Sequence, residues 1–546
     1  MKISKIGVIA GGLAVTAALL LSGCSSPAST SSGLITANGS EPQNPLIPAM
    51  TNENGGGKIL DNIFAGLRYY TADGTPENDL ADSITTDDSQ TYTITIKSGH
   101  KFTNGEEITS KSFVDAWKYA ALASNATLNA YFFEDIKGFS YDEDTDLDGL
   151  KIVDDHTFTV TLNSKLADFP LRLGYSAFYP LPSVAFKNMK KFGETPVGNG
   201  PYMLDGKNAW QHNEKIDLKV NPDYDGPRKP KNGGVSIVFY ANLDAAYADL
   251  QGGNLDVLDT VPDSALETFK DDLGDRAIDQ PAAIFQSITI PSSLENYTHP
   301  EVYQHFQGAE GALRRAAISH AIDRKEITKV IFSGTRIPAH DFTSPVIDGY
   351  SEKVPGSDVL DFDAAEAKKL WAQADAISPW SGTFTIGYNA DGGHQGWVDA
   401  TANSIKNVLG IDAAGHPYPT FAEQRTLITK NEAGKRDMQD TAIRTGWQAD
   451  YPGLFNFLGP LYGTGAGSND GDYSSPDFDA LLKKGNSADN PDEANKYYQQ
   501  AQEVLFKDLP AIPLWYSTAQ GGYSEAVAHV AIDWHGIPIY YQITKG

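Results

Sequence analysis

One cysteine in 546 residues, Cys24, leaves this chain no internal disulfide, so its fold must be held by burial. The position of that cysteine adds a second constraint. Lys2 and Lys5 precede an apolar run over residues 6–21, which leads directly into Ser22-Gly23-Cys24. This is the pattern of a signal peptide with a lipobox. The run is too short and too rich in glycine for a membrane span. The reading is a signal peptide over 1–23 and a lipid on Cys24, which would hold the protein at the extracytoplasmic face of the cell membrane. An ordinary secretion signal is the alternative. The segment 24–33 continues Ser-Ser-Pro-Ala-Ser-Thr-Ser-Ser-Gly, with no large apolar residue to offset the entropy of ordering, and reads as a flexible tether.

Some 510 residues remain, enough for two or three domains, and 40% hydrophobic with 11% aromatic content supplies their cores. The net charge of −27 becomes about −29 once Lys2 and Lys5 leave with the signal. A surface of that sign repels nucleic acid and excludes it as a partner.

Periodicity then places elements. Thr91–Lys97 alternates with Tyr92, Ile94 and Ile96 on one face, and residues 157–162 do the same with Phe158, Val160 and Leu162, predicting two half-buried strands. Between them Phe113, Ala116, Trp117, Ala120 and Ala121 fall on one helical face behind the caps Thr109 and Ser110. A second helix is expected with Leu313, Ala316, Ala317, His320 and Ala321 inward. A third opens at Asn490-Pro491-Asp492-Glu493 with a cap, an N1 proline and an acidic first turn, and stops before Pro510. Strands and helices interleave throughout, which points to mixed α/β domains.

No catalytic set stands out: there is no His-Glu-x-x-His, no Gly-x-Ser-x-Gly and no phosphate loop, so the chain does not read as an enzyme and no cofactor is implied. His320 reads as a satisfied core histidine. Asp144, Asp146 and Asp148 alternate before Gly149, with Asp155 at the twelfth position of an EF-hand-style loop. Lys151 stands where such loops carry an apolar residue, so a solvated acidic loop is preferred to a calcium site.

Several segments, taken in order, resemble the family 5 extracytoplasmic solute-binding proteins, the oligopeptide- and dipeptide-binding receptors of ABC importers. They include Asn38-Gly-Ser-Glu-Pro-Gln43, the stretch from Tyr92 to Gly105, residues 149–157, Gly198-Asn-Gly-Pro-Tyr202, Leu313-Arg-Arg-Ala-Ala through Ala321-Ile-Asp-Arg324, Gly446-Trp-Gln-Ala-Asp-Tyr451 and Leu509-Pro-Ala-Ile-Pro513. The resemblance implies an α/β fold of the periplasmic-binding-protein-like type II clamshell, two lobes with an extra inserted domain and mixed sheets flanked by helices. Domain I would comprise 34–64, 181–285 and 515–546, domain II 65–180, and domain III 286–514. It further implies a monomer that closes about a peptide and passes it to a permease and its ATPase subunits.

In this family peptide capture resembles strand addition, and the ligand α-ammonium needs a fixed carboxylate. Asp450 matches that position; a structural ion pair is its alternative. Gly446, Trp447 and Gln448 match one main-chain edge, and Asn52 to Asn54 lie near the other, although Asn54-Gly-Gly-Gly57 departs from the usual pattern. Arg444 and His394 fall where a peptide carboxylate can be met. Arg444 could instead pair a neighbouring acid, and His394 could be a surface-loop residue. Two rival readings stand beside peptide capture: transport of nickel, haem or an oligosaccharide, and a lipid-anchored hydrolase or adhesin.

Overall fold

The computed structural model describes residues 33–431 and 433–546, except for the side chain of Asp391. Cys24, and with it the signal-peptide and lipid readings, lies outside the described residues. Within them no helix is long and apolar enough to cross a membrane.

Two 13-residue strands, Ala277–Thr289 and Ala511–Tyr523, run antiparallel through the middle of a twelve-stranded sheet. Residues 277–281 pair with 518–522 beside Val257–Leu258, and from there the sheet continues through Leu34–Gly39, Gly234–Phe239, Lys215–Val220 and Tyr202–Leu204. Residues 285–289 pair with 511–516 beside Ala442–Gln448, and the sheet continues through Thr383–Asn389 and Asp412–Tyr418. The sheet is thus two halves sharing one pair of strands. Between the halves the register shifts twice, between Pro281 and Phe285 and between Gln286 and Ser287. Such bulges bend and twist a strand, and here they stand at the passage from one half to the other.

Each half contains parallel pairs, which require a crossover connection. The helix Leu243–Gln251 links Gly234–Phe239 to Val257–Leu258, and the helix Gln395–Leu409 links Thr383–Asn389 to its parallel neighbour Asp412–Tyr418. Residues Ala511 to Tyr516 are buried on both faces, so their sequence runs apolar without alternation.

A separate four-stranded antiparallel sheet holds the expected strands. Thr91–Ile96 pairs with Thr157–Thr161, setting Tyr92 against Val160 and Ile94 against Phe158. The helix Ser110–Ala121 lies on it with Thr109 as N-cap; its Trp117 packs edge-on to Phe158 at 5.6 Å and donates its indole N–H to Phe178 O at 3.0 Å. The helix Pro491–Asp508 starts where Asn490 accepts from Glu493 N at 3.0 Å, and it ends at Leu509 in a left-handed conformation before Pro510.

The helix Gly308–Ala321 corrects the expected face. Arg314, Ala317, Ile318 and Ala321 are buried, whereas Leu313, Ala316 and His320 are half-buried. Arg314 sits inside because its guanidinium lies 4.4 Å from the Trp371 ring and pairs with Glu310 at 2.8 Å and Asp375 at 3.0 Å. His320 turns to Asp361 O at 2.8 Å.

Gly198-Asn-Gly-Pro-Tyr202 clamps the end of the helix Asn54–Ile63. The amides of Asn199 and Gly200 both donate to Ile63 O, and the Asn199 side chain bonds Ala65 on both main-chain groups. A Cβ on Gly198 would stand 1.9 Å from Ile63 O. Gly198→Ala is therefore expected to cost about 1–3 kcal/mol, whereas Gly57→Ala, in the same helix with open space around it, should hold or raise stability. Melting temperatures of the two variants check this; equal effects would contradict it.

Candidate functional site

One wall of the cleft between the two halves is built on residues 51–54 and the helix that follows. Glu53 caps that helix by accepting from Gly56 N at 3.0 Å. Side chains at Gly55 and Gly56 would collide with Ser40 and Thr51 at 2.7 and 2.6 Å, which accounts for the first two glycines of the run. Asn52 and Asn54 stand exposed at this rim.

The facing wall is the strand Ala442–Gln448 and the turn after it. Ala449 N donates to Ala283 O at 3.0 Å. By antiparallel alternation, the main-chain groups of Trp447 and Thr445 also face the strand Ala277–Thr289, while those of Gly446 and Gln448 face away. The strand Thr383–Asn389 pairs only with Ala442 and Ile443, so among the described residues no strand lies on the outer side of Gly446 and Gln448. This is an open strand edge.

Two cavities meet at Asn52, Gln448 and Asp450. The larger, about 1,410 Å³, runs between Leu128, Tyr131 and Tyr141 on one side and Trp447, Phe455 and Lys483 on the other. It exceeds the ~300–1,000 Å³ of ordinary small-molecule sites. The smaller, about 200 Å³, lies between the helix Asn54–Ile63 and residues 533–541.

Asp450 is half-buried at this junction. Its carboxylate accepts from Tyr131 O–H at 3.2 Å, from Asn456 Nδ2 at 3.1 Å and from the Tyr175 hydroxyl. Asn456 is itself fixed, since its Oδ1 accepts from Asp450 N at 2.8 Å and from the Trp447 indole at 3.1 Å. All these donors are neutral, and no cation of the described residues forms an ion pair with Asp450. Desolvation therefore outweighs the hydrogen bonds and pushes the carboxyl up to about 6. The walls already touch: Asn54 donates to Gln448 Oε1 at 3.2 Å, and Gln448 donates to His535 O at 2.8 Å.

Asp450, Trp447, Gln448, Asn52 and Asn54 are thus gathered about the cavities, with Gly446 exposed on the adjoining edge. Arg444 and His394 are not among the cavity-lining residues. The Arg444 guanidinium lies 5.8 Å from the Phe421 ring, and His394 Nδ1 accepts from the Trp397 indole at 3.1 Å. In the acidic loop, Asp144 accepts from Ser124 N at 2.8 Å, Asp146 pairs with Lys118 at 2.6 Å, and Asp148 is exposed. The strand Leu150–Asp154 separates them from Asp155, and no group of three or more His, Cys, Asp or Glu among the described residues is placed to hold a metal. Sequence reasoning missed Tyr131, Tyr175 and Asn456. Only the 36% exposure of Tyr131, within the run Ala130-Tyr-Phe-Phe133, sets it apart, and exposure is not written in sequence.

Fold and cleft together define a two-lobed α/β solute receptor. The chain belongs to family 5 of the bacterial extracellular solute-binding proteins, the receptors of ABC importers, whose family model ("family 5 Middle") matches residues 75–469. It is 27% identical over 494 residues to the oligopeptide-binding protein OppA of Bacillus subtilis, spanning 87% of this chain and 85% of that protein. It is 26% identical over 491 residues to a probable deoxycholate-binding periplasmic protein, YgiS, of Escherichia coli, covering 86% and 85%. Among solved structures, Haemophilus influenzae OppA in complex with RPPGFSPFR matches with a TM-score of 0.76 at 20% identity, over 94% of this chain and 99% of that one, which establishes the shared clamshell fold.

The electrostatics of Asp450 generate a test. A carboxyl raised from 3.8 to about 6 in the folded state holds its proton more tightly there, so its contribution to stability is present below pH ~4 and lost as pH rises through about 6. Asp450→Asn should therefore melt above the parent protein by a margin that widens between pH 4 and 6 and then stays level. A variant that melts lower at pH 7 would mean that the carboxylate is structural.

Proposed function

We propose that this protein is the lipid-anchored peptide receptor of an ABC importer, performing no chemical step. It would capture peptides between its lobes by hinge closure and present them to the membrane permease. The observation that carries the reading is Asp450: a desolvated carboxylate, oriented by neutral donors only, at the mouth of a large cavity. Such a group is complementary to the α-ammonium that every free peptide bears. Beside it, the outward main chain of Gly446 and Gln448 offers the pairing edge that strand addition uses. A cavity of about 1,410 Å³ leaves room for varied side chains. Arg444 and His394 remain proposed contacts for the carboxylate end of longer peptides, and Asn52 and Asn54 for the opposite edge.

Several relatives carry names of oligopeptide- and dipeptide-binding proteins, which supports the same reading. A bile acid, the ligand named for one relative, is an anion and would meet an uncompensated carboxylate here. The domain division given above and the lipid on Cys24 belong to this proposal. A lipid there, with the tether 24–33, would keep the receptor at high effective concentration near its permease.

Calorimetry with trialanine and N-acetyl-trialanine tests the reading. Trialanine should bind, N-acetylation and Asp450→Ala should each abolish binding, and affinity should fall about tenfold per pH unit below 6 as Asp450 protonates. Equal binding of the acetylated peptide, or heats from sugars or Ni²⁺ in its place, would overturn it. For the anchor, Cys24→Ala should release the protein from the membrane fraction into the medium; continued retention would contradict lipidation.

A further inference from the structure

The smaller cavity is short of positive charge. Glu53, Asp61, Asp450 and Asp533 line it against Lys58 and Arg228. Both bases are committed elsewhere. Lys58 Nζ pairs with the buried Asp259, while Arg228 pairs with Asp79 at 3.1 Å and also donates to Asp61 O and Phe64 O at 2.6 and 2.9 Å. Glu53 caps its helix. Three carboxylates are left without an ion pair among the described residues.

Asp61 and Asp533 are built as Asp450 is. The Tyr179 hydroxyl donates to Asp61 Oδ1 at 2.9 Å, and the amides of His535 and Ile537 both donate to Asp533 Oδ1 at 2.9 Å. Neutral donors fix each carboxylate; Arg228 offsets part of the Asp61 charge without pairing with it, and Asp533 has no cation of the described residues in an ion pair with it. Burial raises Asp61 above the usual carboxylate range, against the Tyr179 hydrogen bond and the nearby Arg228, and burial, with Asp61 adding to it, pushes Asp533 up to about 7. His535 supplies no counter-charge, because burial pushes it down to about 4.

Two further features point to a ligand. The walls are aromatic: Tyr70 and Trp534 meet edge-on at 5.6 Å beside Tyr69 and Tyr175, and such rings favour a cation over their faces. The hydroxyl of Tyr540, a lining residue only 1% exposed, has no hydrogen-bond partner among the described residues. A phenolic oxygen in that state can accept from an ammonium or guanidinium.

We infer that this cavity is a cation-selective subsite that takes the lysine or arginine side chain of the residue whose α-ammonium is held at Asp450, with Asp61 and Asp533 as its counter-charges. At about 200 Å³ it is sized for one side chain and not for a peptide. The identification of the occupant as a peptide side chain rests on the reading proposed above; the cation subsite itself does not.

The test compares Lys-Ala-Ala with norleucyl-Ala-Ala, of similar length but uncharged, by calorimetry at pH 7.5. The lysyl peptide should bind about tenfold or more tightly. That ratio should fall toward one in Asp61→Asn, in Asp533→Asn and in the double variant. A ratio near one in the parent protein, or a ratio unchanged in the variants, overturns the inference. If neither peptide binds, the peptide reading fails, and 1,5-diaminopentane against pentylamine then judges the subsite. Binding of the diamine that is lost in the double variant upholds the subsite, and binding of neither amine overturns it as well.

Discussion

The antiparallel pairing of Ala277–Thr289 with Ala511–Tyr523 is the constraint on which the rest of the structure depends. One continuous pair of strands belongs to both halves of the sheet, so the halves cannot separate, yet they meet where the ladder is interrupted by two register shifts. A ladder resists shear and stretching far better than it resists bending at a bulge. The cleft therefore opens beside the one place where the backbone is least regular. The strand that carries the open edge pairs with the same element, Gln448 opposite Ile284 and Trp447 opposite Phe285, so any bend there moves that edge and Asp450 directly.

Within the cleft the deciding quantity is desolvation. A carboxylate that accepts several hydrogen bonds ordinarily titrates low, and Asp450 accepts from Tyr131, Asn456 and Tyr175. It titrates high instead, because burial without a counter-ion outweighs all three. Burial also prevails at Asp61, over the Tyr179 hydrogen bond and the nearby Arg228, and at Asp533, over the main-chain amides it accepts from. Elsewhere several buried charges are paired: Arg314 has Glu310 and Asp375, Arg172 has Asp135 and Asp168, and Arg228 has Asp79. Buried charge without an ion pair among the described residues also occurs away from the cavities, at Asp341, held by Thr343, Tyr516 and Gln502, and at Arg315 and Arg324, which donate to main-chain carbonyls. It is the place at a cavity wall that marks Asp450, Asp61 and Asp533.

How much of this was legible in the sequence depended on whether the signal was local. Alternation located Thr91–Ile96 and Thr157–Thr161, and cap chemistry located Ser110–Ala121 and Pro491–Asp508, because each depends on residues within a few positions. Local signal failed for the strand Ala511–Tyr523, whose residues 511–516 are buried on both faces and so without period, and for Gly308–Ala321, where two tryptophans from later in the chain draw Arg314 inward. The site divides in the same way. Asp450 stood out through its surrounding motif, whereas Tyr131, 319 residues away, reaches it only through the fold. Asp61 and Asp533 lie in unremarkable stretches, and only the cavity relates them.

The central claim is that Asp450 waits, desolvated, for a cation. Carbon-13 NMR of aspartate-labelled protein measures this directly, with the Asp450 carboxyl assigned by its absence from the spectrum of Asp450→Asn. Without ligand it should titrate near 6, and saturating trialanine should bring it down to the ordinary carboxylate range or below. A carboxyl that titrates near 4 in the free protein, or one that saturating peptide leaves unmoved, would contradict the account.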